Sequence, residues 1–302
     1  MWQTHVKRQP MPSGQSSTAE HNQASHDGLR SSEALIGEGM DRCLSEPHPT
    51  SQVRYRGTTL WTVTYVGMDL ALKAKLQKQR YHIVGEHGGV KTCHWTKESL
   101  LRDRQCYKGK FYGIESHNCM QMSPVVDQCN LACTYCWREP HMDTLELTDQ
   151  DPLDLLYESV RAQRRLLSGF KGNPKVPREK WLDAQNPKHV AISLNGEPTL
   201  YTRLSEYMDL CHKHGMTTML VTNGTLPKVL EKLDTLPTQL YVSVDAPNKE
   251  VFDAVCKPKW NTNAWDKFEE TIDLLPSLDT RIVCRHTLMQ GINMSDKHIE
   301  QF

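Results

Sequence analysis

The chain has 302 residues, 38% of them hydrophobic, and its 36 Lys+Arg balance 36 Asp+Glu. That length can bury a sizeable core, as two average domains or one large α/β barrel, and neutrality excludes a uniformly basic nucleic-acid coat or an acidic tail protein. Mean hydropathy is −0.60, apolar runs such as residues 190–194 fall far short of the ~18 residues of a membrane span, and residues 1–5 carry no apolar signal core, so a cytoplasmic protein with no membrane partner is expected.

Residues 1–52 are rich in Ser, Gln, His, Gly and Pro with no sustained apolar period, the composition of a disordered low-complexity extension. Residues 53–119 read as a basic N-terminal module: between 70 and 110 there are ten Lys/Arg against Glu86, Glu98 and Asp103. From residue 120 strand and helix signals alternate. Strands are expected at 120–126, 189–194, 217–221, 240–244 and 281–287, with helices at 151–167, 203–214, 227–233 and 264–275 and a further one beginning at 295. Leu153, Leu156, Tyr157 and Val160 fall on one face of the first of these helices. Strands separated by single helices imply βαβ crossovers and a parallel sheet in an α/β fold.

Ten cysteines are many for a reducing compartment, and six of them (93, 106, 119, 129, 133 and 136) fall within 44 residues. Such clustering suggests metal, whereas Cys43, Cys211, Cys256 and Cys284 are scattered and are expected to be small hydrophobes. The densest stretch is Cys129-Asn-Leu-Ala-Cys133-Thr-Tyr135-Cys136, directly after the first core strand. Three thiolates on so short a loop can hold three corners of an iron–sulfur cubane and leave the fourth iron open. A closed zinc site would need a fourth ligand nearby, such as His141.

This Cys-x3-Cys-x2-Cys loop, with an aromatic before its last cysteine, resembles that of the radical S-adenosylmethionine (SAM) enzymes. The resemblance implies a partial (βα)6-type barrel and a 4Fe–4S cluster on Cys129, Cys133 and Cys136. The open iron of that cluster would bind SAM and cleave it reductively to methionine and a 5′-deoxyadenosyl radical. Asn195-Gly196-Glu197-Pro198 after the second strand resembles the family's Gly-Glu motif, where glycine admits a close approach and glutamate meets the SAM ammonium. Thr222 and Asn223 after the third strand, Ser243 and Asp245 after the fourth, Arg285 on the fifth and Tyr135 are further candidate SAM contacts. Read without the family, Gly-Glu-Pro, Asn-Gly and Asp-Ala-Pro are also good turns.

Cys93, Cys106 and Cys119 are evenly spaced. With Phe111-Tyr-Gly-Ile-Glu-Ser-His117 between the last two, they resemble one radical SAM family, the 4-demethylwyosine synthases, in its archaeal form. That resemblance implies a second 4Fe–4S cluster on these three cysteines, with pyruvate as co-substrate on its open iron and Lys108 as candidate imine-forming residue. It also implies the tRNA-Phe anticodon loop as partner, with 1-methylguanosine-37 as the target base, and a separate low-potential electron donor of flavodoxin or ferredoxin type. Lys108 could equally be one of many bases meeting phosphate. A second basic stretch, 161–180, has seven Lys/Arg against Glu179, while 141–160 carries six acids and no Lys/Arg, so tRNA phosphate should follow the former and avoid the latter. Trp137 and Tyr112 could stack on bases, with a core role expected for each. Only five strands precede Phe302, so the sixth barrel strand is expected to be missing, as if truncated. Two other readings stay open: a radical SAM enzyme with a protein or small-molecule substrate, and a zinc-binding RNA adaptor without catalysis.

Overall fold

The structure, a computed structural model, describes residues 67–136, 149–260 and 263–302. The low-complexity extension, Cys43, Trp137 and His141 lie outside the described residues. Helix α1 (Leu70–Lys78) leads into strands β1 (His82–Val84) and β2 (Gly88–Val90), and helices α2 (His94–Arg102) and α3 (Tyr107–Tyr112) follow. Then come β3 (Cys119–Ser123), α4 (Pro152–Leu167), α5 (Arg178–Asp183), β4 (His189–Ile192), α6 (Leu204–Lys213), β5 (Thr217–Thr222) and α7 (Pro227–Glu231). The described chain ends with β6 (Gln239–Ser243), α8 (Lys249–Cys256), α9 (Ala264–Leu274), β7 (Arg281–Arg285) and α10 (Asp296–Gln301). No described helix is long and apolar enough to cross a membrane.

One seven-stranded sheet runs in the order β1 to β7. β3 to β7 are parallel nearest neighbours, registered Met120↔Val190, Val190↔Thr218, Leu220↔Leu240 and Leu240↔Ile282. These are the five expected strands, and among the described residues the sheet has no strand beyond β7. Side chains alternate between faces. Met120, Met122, Val190, Ile192, Leu220, Leu240 and Val242 are fully buried on the side where the crossover helices pack. Cys119, Gln121, Val221, Tyr241, Ser243 and Arg285 share the opposite, more polar face.

Asp151 starts α4 by accepting from the amides of Leu153 and Asp154, with Pro152 at the first helical position, where its missing N–H is not needed. The buried stripe runs through Pro152, Leu155, Leu156, Ser159, Val160 and Gln163. Leu153, expected on it, is 39% exposed, because the face that meets the sheet is centred on Ser159. Tyr112, expected in the core, is exposed, with the Arg281 guanidinium 5.0 Å from its ring centre.

The β1–β2 hairpin has no counterpart in the strand expectations. It pairs antiparallel with β3 through Gly89↔Ser123 and Val90↔Met122. Two of its residues are glycines, poor strand formers, required by close approach. A Cβ on Gly88 would lie 2.7 Å from the Val84 carbonyl oxygen, and one on Gly89 would lie 3.0 Å from Val126 Cγ1.

Candidate active site and cysteine centres

The loop after β3 is tied down residue by residue before its cysteines appear. The Asn195 amide donates to Val126 O at 2.7 Å and the backbone of Glu197 to Gln128 O at 2.9 Å. Asn130 accepts from Asn223 Nδ2 at 2.8 Å and donates to Thr225 Oγ1 at 2.7 Å. The amides of Ala132 and Thr134 bond to carbonyls at the end of α8. Backbone carbonyls, backbone amides and the Asn130 side chain that a free loop would leave to water are thus engaged by three neighbouring segments. Gly196 adopts φ +79, and a Cβ there would come within 1.7 Å of Val125 O, so the Gly-Glu turn and the cysteine loop can meet only at a glycine.

Cys129, Cys133, Tyr135 and Cys136 line one pocket of ≈ 100 Å³ with Gly196, Glu197, Thr222, Asn223, Ser243 and Arg285. Leu131, Ser193, Leu194 and Val221 also form its wall; none was a candidate from the sequence, since Leu131 is an apolar spacer within the cysteine motif, Ser193 and Leu194 follow β4, and Val221 reaches the pocket through the pleat of β5. Glu197 is buried, and burial pushes its carboxyl up, against the hydrogen bonds it accepts. Its Oε1 accepts from Thr199 Oγ1 at 2.6 Å and Thr222 Oγ1 at 2.7 Å, while Oε2 accepts from the Asn223 amide at 2.8 Å. Oε2 therefore keeps acceptor capacity for a ligand cation. Arg285 Nη2 donates to Ser243 Oγ at 3.1 Å, placing a guanidinium at the rim. Asp245 does not line the pocket: its Oδ2 accepts from Tyr135 at 2.5 Å and its Oδ1 from the Thr287 amide at 2.6 Å.

Burial raises the Cys129 thiol to about 12, and the Glu197 charge adds to the shift. Cys133 is held below the usual thiol range by a hydrogen bond from Cys256, against burial. Cys256, expected as a bystander, is thus buried against a member of the loop, a contact made when α8 returns and invisible in the spacing. Cys211 is buried as expected, whereas Cys284 is exposed on β7.

The second set lies at the opposite end of β3. Cys93 and Cys106 precede the first turns of α2 and α3, and Cys119 opens the strand. With four rises of ~3.3 Å along the strand, Cys119 and the loop that follows Ser123 are about 13 Å apart at least. Burial pushes the Cys119 thiol up to about 12; Lys108 opposes the shift, and Cys93 and Cys106 add to it. Lys108 Nζ sits 5.1 Å from the ring centre of Tyr241, on the same inward face. Behind Cys119, His117 bridges Ser99 Oγ at 3.3 Å and Asp183 Oδ2 at 2.9 Å, and Lys188 joins Glu115 and Asp183.

Four sulfurs around one zinc, at ~2.3 Å each, lie about 3.8 Å apart. Among the described residues the group of three potential ligands within 4.8 Å of one another is Glu115, His117 and Asp183, and neither cysteine set draws together so closely. The donor sets fit a wider cluster: three sulfurs each, soft ligands suited to iron. In the first set a carboxylate acceptor and a guanidinium stand across the same pocket. Raised thiols of this kind release their protons to solvent when a metal takes their place.

A parallel sheet with three cysteines on the loop after its first parallel strand is the core of the radical SAM superfamily. The model of that superfamily matches residues 123–302, and the chain belongs to it. The chain is 48% identical over 226 residues to the S-adenosyl-L-methionine-dependent tRNA 4-demethylwyosine synthase of Pyrococcus abyssi, covering 72% of this chain and 65% of that one. It is 40% identical to the synthase of Methanocaldococcus jannaschii, covering 72% and 71%. A solved structure of TYW1 with a lysine–pyruvate adduct bound superposes with TM-score 0.68 at 38% identity, covering 75% of this chain and 74% of that one. For archaeal TYW1 the values are 0.64 and 36%, covering 78% of each. Within the superfamily the chain belongs to the family these synthases form; it spans about two thirds of the length of the Pyrococcus relative.

Proposed function

We propose that this chain converts 1-methylguanosine-37 of tRNA-Phe and pyruvate into 4-demethylwyosine, using SAM and two 4Fe–4S clusters. When bound, the cluster and SAM together supply a carbon-centred radical that removes a hydrogen from the N-methyl group. The chain's own residues bind and orient. Cys129, Cys133 and Cys136 hold the first cluster, and Cys93, Cys106 and Cys119 hold the second. Glu197 Oε2 accepts from the SAM ammonium, Gly196 lets backbone approach it, and Arg285 beside Ser243 takes its carboxylate. Thr222 and Asn223 orient Glu197, and Asp245 fixes Tyr135. Lys108 condenses with pyruvate.

The observation that carries this reading is Lys108, half-buried on the inward face of the sheet next to the second cysteine set, in a chain similar to a protein solved with a lysine–pyruvate adduct. A separate reductant of flavodoxin or ferredoxin type supplies electrons. The experiment is anaerobic reconstitution with elemental analysis: about eight irons per chain, falling to about four when Cys93, Cys106 and Cys119 are replaced by alanine. 5′-Deoxyadenosine should form with coupled product only when pyruvate and tRNA bearing 1-methylguanosine are both present, and borohydride should trap pyruvate on Lys108. Colourless protein, zinc in place of iron, or label elsewhere than Lys108 overturns the corresponding part.

A further inference from the structure

A second cavity, of ≈ 200 Å³, lies away from the candidate active site and is lined by Arg80, Lys91, Thr92, Lys97, Leu166 and Phe170. Three cations and a hydroxyl face it, and among the described residues no acid lines it. The nearest carboxylate in sequence, Glu98, is engaged by Arg102 and by Arg104 at 3.7 Å. Among the described residues neither Arg80 nor Lys97 has a carboxylate partner, although Lys97 is half-buried. Lys91 lies 4.4 Å from the ring centre of Tyr81, and Leu166 and Phe170 form an apolar wall that strengthens any charge interaction made against it.

The backbone at Arg80 is a second and independent sign. α1 ends in a Schellman motif: Tyr81 N donates to Leu76 O at 3.0 Å and Arg80 N to Gln77 O at 2.9 Å. Tyr81 and Leu76 pack in one cluster. The position between them requires the left-handed conformation, and glycine usually fills it. Here it is Arg80, at φ +66, at a cost of about 1 kcal/mol. Strain kept where a glycine would serve better points to work done by the side chain.

We propose that this cavity is a phosphate site for the backbone of the RNA substrate, in which Arg80, Lys91 and Lys97 grip one phosphodiester and Thr92 donates to it. The proposal rests on the reading that the substrate is tRNA. It assigns a place to phosphate on the hairpin side of the sheet, beside the segment that carries Cys93, apart from the pocket assigned to SAM.

The test uses the reconstituted full chain and tRNA bearing 1-methylguanosine, with affinity measured by anisotropy across a salt series. Arg80→Gly relieves the backbone, so its thermal midpoint should equal or exceed wild type. Its tRNA affinity should nevertheless fall several-fold, and Arg80→Gly with Lys97→Ala should lose roughly tenfold or more. Because the three cations share one phosphate, the slope of log affinity against log salt should flatten by about 1 in all when the site is lost. Iron content and SAM binding measured without tRNA should not change. Unchanged affinity and slope in the double variant, with wild type binding tRNA, overturns the phosphate site and leaves the tRNA reading standing. Wild type that binds no tRNA overturns that reading, and the site with it. Strong competition by inorganic phosphate at matched ionic strength would show a small-anion pocket instead, and so would also overturn it.

Discussion

The hydroxyl of Tyr135, one residue before the last cysteine of the loop, lies 2.5 Å from Oδ2 of Asp245, 110 residues away at the end of β6. Asp245 is in turn bound by Thr287 N, and Asn293 Nδ2 donates to its carbonyl at 2.9 Å. The cysteine loop is therefore anchored on the far side of the pocket, across from the Gly196 and Asn223 contacts. Replacing Tyr135 with Phe leaves a buried carboxylate short of one donor and should cost about 1.5–3 kcal/mol of stability. On the proposed assignment of a cluster to Cys129, Cys133 and Cys136, the variant should lose iron to a chelator faster than wild type, as followed by the visible charge-transfer band; an unchanged rate would show that the tether does not hold the loop.

Gly196 and Gly215 both have left-handed backbones, yet differ in surroundings. At Gly196 a Cβ would meet the Val125 carbonyl oxygen at 1.7 Å, whereas at Gly215, φ +71, nothing lies within 4 Å. Gly215→Ala should cost about 1 kcal/mol, the backbone term alone. Gly196→Ala should cost about 3 kcal/mol or more, because the cysteine loop must also move, and SAM binding should be lost in calorimetry. Comparable unfolding midpoints for the two variants would refute the close-approach argument.

Glu197 gives a sharper prediction about the ligand. A glutamine keeps the size but removes the charge that an ammonium would meet, so Glu197→Gln should weaken SAM binding by about 1.5–3 kcal/mol, roughly ten- to a hundredfold. Binding of S-adenosylhomocysteine, which keeps the same ammonium, should weaken in parallel. If only SAM is affected, Glu197 is reading the sulfonium rather than the amino group.

The cap of α4 carries a pH signature. The Asp154 amide, with that of Leu153 and the Arg203 guanidinium, holds the Asp151 carboxyl below its usual range despite some burial. A depressed folded value means that the stabilisation is present above the ordinary carboxylate pKa of ~3.9 and is lost as pH falls through the folded value. Asp151→Ala should therefore cost about 1 kcal/mol at neutral pH, and the gap to wild type should close in acid, below about pH 4. Urea midpoints across pH check this; a gap independent of pH would leave the cap without its charge.

Much of the chemistry was legible in the order of residues. Three cysteines within eight residues must share a loop, and a glycine followed by glutamate at the end of a strand must sit where the loop can come close. β4, β5 and β6 announced themselves because strands buried along most of their length leave an apolar run, whereas β7, exposed at Arg281 and Arg285, did so through its β-branched centre Ile282-Val283. The β1–β2 hairpin did not, since the glycines that let it approach Val84 and Val126 erase the strand signal.

What the sequence determined by itself is local: the ligand types, their spacing, and the strands and helices that carry them. What only the tertiary structure decided is which distant groups meet. Cys256 lies against Cys133, Asp245 holds Tyr135 instead of lining the pocket, Leu153 turns away from the sheet, and Arg80 joins Lys97 around one cavity. Each of these depends on how a crossover returns the chain to the sheet, a long-range event settled by the burial of whole faces, which no short window of residues encodes.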